Sequence, residues 1–193
     1  MSARDVAIAT IMQEHRSLVH MLHTLQDFLS RIQAGHATAE FDVICAALYY
    51  LDDFQERCHH PKEDDYLFKA LSAASTRFAA EIAHLQSAHA GGARAMARLQ
   101  RNLVHYQGGA ADGLHTFKAS VDEYAQAMVA HIRSEEALLE DSREALDEAA
   151  WACIAAAFDE NDDPLFGNNR RAEFDRLYQR VRLRVPSKLK QGL

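Results

Sequence analysis

Eleven histidines stand in a chain of 193 residues. Two of them open the same pattern: His59 is followed four residues on by Glu63, and His131 by Glu135. Residues four apart share one face of a helix, so each pair presents an imidazole and a carboxylate together. His15 sits amid Ile11, Leu18, Val19 and Leu22, at i−4, i+3, i+4 and i+7 of an apolar stripe. His89 shares its stripe with Ile82, Leu85 and Met96, His131 with Tyr124, Met128 and Leu138, and His59 with Phe41, Ile44 and Leu48. His20, His84, His105 and His115 fall on other faces. A buried lone carboxylate is very costly, and an unpaired buried imidazole costs several kcal/mol. Two glutamates and four or five histidines facing one core are tolerable if they share cations. Imidazole and carboxylate donors without thiolate suit iron first, then manganese or zinc. Six or seven donors exceed one tetrahedral site, which favours two ions bridged by carboxylates from opposite helices.

Holding those groups takes four long helices. The 3.6-residue periodicity predicts them over about Val6–Arg31, Phe41–Leu71 (with Pro61 inside), Phe78–Tyr106 and Leu114–Arg143. Gly35 and Gly108-Gly109 mark ends, Thr38 is a candidate N-cap, and Ser72–Thr76 a short turn. Short connections make the fold all-α, an up-down-up-down four-helix bundle. The expected division is a bundle over 5–145 and a C-terminal helical extension with a basic tail over 146–193. In the extension, Leu146–Phe158 reads as a helix carrying Trp151. Asp159–Asn169 reads as a polar loop, and Phe174, Leu177, Tyr178 and Val181 mark a last amphipathic helix.

Composition narrows the function classes. An apolar fraction of 48% and a charged fraction of 25% describe a globular chain. No run approaches the roughly 18 apolar residues of a membrane span, and the first residues show no secretory h-region. A net charge of −7 argues against a nucleic-acid-binding domain. Cys45, Cys58 and Cys153 form no CxxC and no disulfide framework, so a cytoplasmic setting is expected.

The stretches Gln13-Glu14-His15, Phe54-Gln-Glu-Arg-Cys-His-His-Pro-Lys-Glu-Asp64, His89-Ala-Gly-Gly92 and His131-Ile-Arg-Ser-Glu-Glu136 resemble the hemerythrin-like, HHE cation-binding proteins. The His-His-Pro-Lys-Glu-Asp block followed by Tyr66-Leu67-Phe68 is the most specific part, and Trp151 and Asp163-Pro164-Leu165 look like extensions of some bacterial, stand-alone members. The resemblance implies a bundle around two non-haem iron ions, oxo- or hydroxo-bridged. It implies His15, His59, Glu63, His89, His131 and Glu135 as ligands, and O2, NO or H2O2 as the small ligand. One departure concerns the third helix, where oxygen carriers place HxxxH. Here Leu85 and Ala93 flank His89 at that spacing. His60 is the candidate fifth imidazole, re-aimed by a kink at Pro61. Its alternatives are support behind a ligand, or solvation.

Glu56 and Asp52 are candidates to support ligands. Tyr124 could bond a bridging group or be a core tyrosine, and Glu14 and Glu136 are expected in solvent. Asp159–Asp163 fails calcium-loop spacing because Pro164 stands where glycine is needed. The basic tail from Arg170 would dock on the acidic bundle, and Phe174, Leu177, Tyr178 and Val181 would allow a homodimer. Functions in view are diatomic sensing, handling of iron or nitrosative stress, and peroxide turnover. Rivals are a single zinc or manganese site and a metal-free helical interaction module.

Overall fold

A computed structural model describes residues 1–161 and 163–165, and among these every regular element is helical. Helix α1 spans Ala3–Gln33. Ser2 starts it as a capping box: its hydroxyl accepts the Asp5 N–H at 3.2 Å, and the Asp5 carboxylate accepts the Ser2 N–H at 3.2 Å. Gly35, at φ 74°, turns the chain beyond its end. Helix α2 covers 41–74, α3 Ala79–Gln107, and α4 Gly113–Ser142. Gly109, at φ 78°, makes the α3–α4 turn. Helix α5, Glu148–Asp159, begins at Asp147, whose carboxylate accepts the Ala150 N–H at 2.8 Å.

Each long helix packs against the next, and α4 closes on α1, giving the up-down-up-down bundle. Helix α5 lies along α1, its Trp151, Ile154 and Phe158 joining an apolar cluster with Ile11 and Phe68. The expected tail helix through Phe174, Leu177, Tyr178 and Val181, and the basic segment from Arg170, lie outside the described residues. No described helix is long and apolar enough to cross a membrane.

Two expectations need correction. Thr38 is exposed, and Glu40 takes the N-cap position of α2 with no side-chain cap bond. The turn after α2 is shorter than Ser72–Thr76: helix continues to Ala74, and Ser75 reverses the chain, its hydroxyl accepting the Arg77 N–H.

Helix α2 is not uniform. Leu51–His59 and Glu63–Phe68 are π-helical, and the α-helical turn His60–Lys62 lies between them. The His60 N–H bonds the carbonyl of Gln55, five residues back. Pro61 has no N–H to offer. Each five-residue step winds the chain less per residue than an α-turn. Adjacent His59 and His60 therefore both stay on the inner side, and both are buried with Glu63.

The core is split in two. One apolar cluster holds Leu18, Phe54, Met96 and Met128, and the other holds Ile11, Leu67, Leu85 and Leu138. Along α1 to α3 the change from one cluster to the other falls at the inward histidines, and along α4 it falls between Ile132 and Leu138, at Glu135. Each fully buried Leu or Phe contributes roughly 1.5–3 kcal/mol, so apolar packing above and below carries a polar layer at the waist.

Candidate metal centre

All seven residues singled out by type and spacing, His15, His59, His60, Glu63, His89, His131 and Glu135, are buried in that layer. They form two groups. His15, His59, Glu63 and Glu135 make one, and His60, Glu63, His89 and His131 the other; within each, one donor atom per residue lies within 4.8 Å of all the others. Donors at roughly 2.1 Å from a shared ion are at most about 4.2 Å apart, so the widest donor separation in either group exceeds that of an ion's coordination shell by no more than about 0.6 Å.

Glu63 belongs to both groups and gives one oxygen to each. Its Oε1 lies 2.7 Å from His59 Nε2 and 3.7 Å from His15 Nε2, while Oε2 lies 3.1 Å from His89 Nε2. Glu135 leans the same way, its Oε2 being 3.1 Å from His15 Nε2 and 3.9 Å from His131 Nε2. The Nε2 atoms of His89 and His131 converge to 3.1 Å. Both carboxylate oxygens of Glu63 and of Glu135, together with His15 Nε2, are buried without a properly directed hydrogen bond. Such atoms are strongly disfavoured unless a cation meets them, and the donor set fits first-row divalent metals.

Behind the imidazoles stand further carboxylates. His59 Nδ1–H donates to Glu14 at 2.6 Å, His89 Nδ1–H to Asp64 at 3.1 Å, and His15 Nδ1–H to Glu136 at 3.3 Å. His60 Nδ1 faces Glu56 at 3.4 Å. An ionised carboxylate only accepts, so the first three contacts place the ring proton of His59, His89 and His15 on Nδ1 and leave Nε2 for the centre, whereas His60 Nδ1 makes no directed hydrogen bond. Tyr124 donates to Glu56 at 3.3 Å, and Glu56 lies so close to α3 that a Cβ on Gly92 would sit 2.6 Å from its Oε1.

The expectation that Glu14 and Glu136 are solvated is wrong for Glu14, which is 6% exposed and receives Asn161 Nδ2–H at 3.1 Å on both oxygens. Glu136 is partly exposed but bonded to His15. Phase about one helix axis missed Glu14 because α5 and residue 161 cover the side that would otherwise be outward. Asp64 and Asn161 were missed altogether. For Asp64, the signal was its place directly after Glu63 in the His-His-Pro-Lys-Glu-Asp block. Asn161 had none. Asp52 instead pairs with exposed Arg57 at 3.7 Å. The thiol Cys58 is half-buried and in neither group.

With protein groups alone the layer is electrically polarised. Burial would lower His59, but the Glu63 charge and the bonds to Glu14 and Glu63 outweigh it and raise it to about 10. His15 is also raised, burial being overcome by Glu135 and its neighbours. Glu63 is held well below the usual range: burial opposes this, but His59, His15 and His89 prevail. Glu135 is pushed up by burial and by the Glu63 charge. Burial takes His131 down to about 3 and lowers His60 as well. His89 is raised too, burial being overcome by Glu63 and Asp64, so Glu63 is met by imidazoles that favour their charged form from both groups, while His60 and His131 favour the neutral form.

Comparison with known proteins agrees with this geometry. Neither the curated proteins nor the solved structures compared gave a match. The family model of the hemerythrin HHE cation-binding domain matches residues 6–141. The match takes in every residue of both donor groups, and the chain belongs to the hemerythrin HHE cation-binding domain family.

Proposed function

We propose that the chain binds two non-haem iron ions, one in each donor group, and that the pair binds or reacts with a small diatomic or peroxide ligand, O2, NO or H2O2. The observation that carries this reading is Glu63, one carboxylate whose two oxygens face two separate sets of imidazoles. Iron, when bound, supplies ferrous–ferric redox chemistry. The ligands we assign are His15, His59, Glu63 and Glu135 for one ion, and His60, Glu63, His89 and His131 for the other.

The chain's own groups orient and shield. Glu14, Glu136 and Asp64 hold the ring protons of His59, His15 and His89 on Nδ1, so those Nε2 lone pairs face inward. Ile11, Leu85 and Leu138 on one side and Leu18 and Phe54 on the other pack above and below the layer, leaving access between α3 and α4. The Tyr124 hydroxyl, raised well above its ordinary range by burial and by the Glu56 charge, keeps its proton beside His60. Such a centre serves gas sensing or the handling of iron, nitric oxide or peroxide stress. A cytoplasmic setting is part of the proposal, supported by three cysteines that form no disulfide.

The test is metal analysis of chain produced in iron-replete medium, with absorption spectra before and after anaerobic reduction and re-exposure to air. Two irons per chain and a charge-transfer band that bleaches on reduction are expected. One colourless metal, or none after reconstitution with ferrous iron, refutes the reading.

A further inference from the structure

Between α3 and α4 an apolar cavity of about 280 Å³ reaches the donor layer. Its walls are Gly91, Gly92 and Ala95 of α3 and Ala127 and Met128 of α4, and the rings of His60, His89 and His131 form its floor. The opposite end of the layer is closed: Phe158 packs edge-on at 5.9 Å from the His59 ring, and Asn161 covers Glu14. We propose that this cavity binds a small uncharged ring compound, of one or two aromatic rings, against the three-imidazole group. The site lies beside the centre proposed above and stands on the cavity itself, so it holds whether or not iron is the metal.

Size is the first argument. An apolar cavity of about 150 Å³ accommodates benzene, and this one is larger, with room well beyond a diatomic molecule. Charge is the second. No Lys, Arg, Asp or Glu lines the cavity, and its one hydroxyl, on Tyr124, is committed to Glu56. In the metal-free chain a carboxylate or ammonium group would be desolvated there without a partner, since His89 is already met by Glu63 and Asp64. The floor is the third. His60 and His89 stack on each other at 4.0 Å with 14° between their planes, and Phe68 also stacks on His89, so an edge-to-face contact is the one this pair leaves open to a guest ring. His131, which completes the floor, has a buried Nδ1 with no hydrogen-bond partner.

The test is titration of the full chain with fluorobenzene, followed by fluorine NMR, both as purified and after loading with ferrous iron. Two variants accompany it: Ala95→Phe, which fills the half-buried interior, and Ala127→Trp, which caps the exposed mouth. Saturable binding is expected, weakened at least tenfold in each folded variant, with metal content unchanged. In the metal-free chain the charged analogue para-fluorobenzoate should bind at least tenfold more weakly than fluorobenzene. The proposal is overturned if fluorobenzene shows no saturation up to its solubility limit. It is also overturned if Ala127→Trp, at an exposed position, binds as the parent does, or if the benzoate binds the metal-free chain as well as fluorobenzene does. A chain that takes up fluorobenzene but no iron refutes the iron reading alone, and one that takes up iron but no fluorobenzene refutes this one alone.

Discussion

Replacing Glu14 by glutamine separates charge from shape at the back of His59. The substitution keeps the volume of a side chain that is 6% exposed and removes its charge. In the parent, Glu14 accepts one short bond from His59 at 2.6 Å and two contacts from Asn161 at 3.1 Å. A hydrogen bond to a charged group contributes about 1.5–3 kcal/mol and a neutral one about 0.5–1.5 kcal/mol. The metal-free chain should therefore lose roughly 1–1.5 kcal/mol, read as a lower urea midpoint at unchanged slope. The amide can also flip and present N–H to His59, which favours the wrong ring tautomer. Loss of such a supporting partner weakens metal binding about 10- to 100-fold, equivalent to roughly 1.4–2.7 kcal/mol. Competition against a chromophoric chelator measures this, and only the tighter or the weaker of two binding steps should move, because the other donor group does not use His59. Unchanged affinity together with an unchanged urea midpoint would refute the assignment of Glu14 as the group that orients His59.

Other outcomes follow from the same geometry. Glu63→Gln should abolish stoichiometric binding at both donor groups, whereas Glu135→Gln should spare the three-imidazole group; metal analysis after dialysis distinguishes them, and equal loss in both variants would contradict a shared Glu63. Gly92→Ala should push the Glu56 carboxylate off Tyr124 and His60 at a cost of about 1 kcal/mol, which alanine's better helix propensity offsets by about 0.8–1 kcal/mol; in a Glu56→Ala background only that gain remains, and a double-mutant cycle in urea reads the difference of about 1 kcal/mol directly. The metal-free chain should lose stability on the alkaline side. His59 is raised from 6.5 to about 10, so its contribution is complete below pH 6.5 and disappears as pH rises through about 10. A urea midpoint that stays flat from pH 7 to 10 would be inconsistent with the buried pair of His59 and Glu63.

Helical periodicity made the inward phase of His15, His89 and His131 legible, because α1, α3 and α4 keep an α-helical step through those residues. The bundle followed from the spacing of the same stripes. Helix α2 was legible only as a helix with a disturbance at Pro61. Its π-helical turns depend on which carbonyl each N–H finds once the neighbouring helices are in place, and no local residue pattern specifies that. The division into two donor groups was hidden for the same reason, since it needs the direction of each Glu63 oxygen. Glu14 was misread because one helix viewed alone gives it a solvent side, and the cover comes from residues about 140 positions later. Asn161 carried no signal at all in a polar stretch.

The donors at the waist come from widely separated parts of the chain, and that has a kinetic consequence. Between His15 and Glu135 run 120 positions of sequence, and an ion held by both closes a loop of that length, as a crosslink does. A disordered chain keeps only the short His59–Glu63 and His131–Glu135 pairs, which are poor chelators by themselves. Each donor group also draws on three of the four long helices, so fraying of any one helix end leaves the remaining donors in place. Ion release is thereby tied to large-scale opening of the bundle. Chelator-driven loss of metal and exchange of the slowest backbone amides should accordingly accelerate in parallel as urea is added, and terminal fraying should leave both untouched.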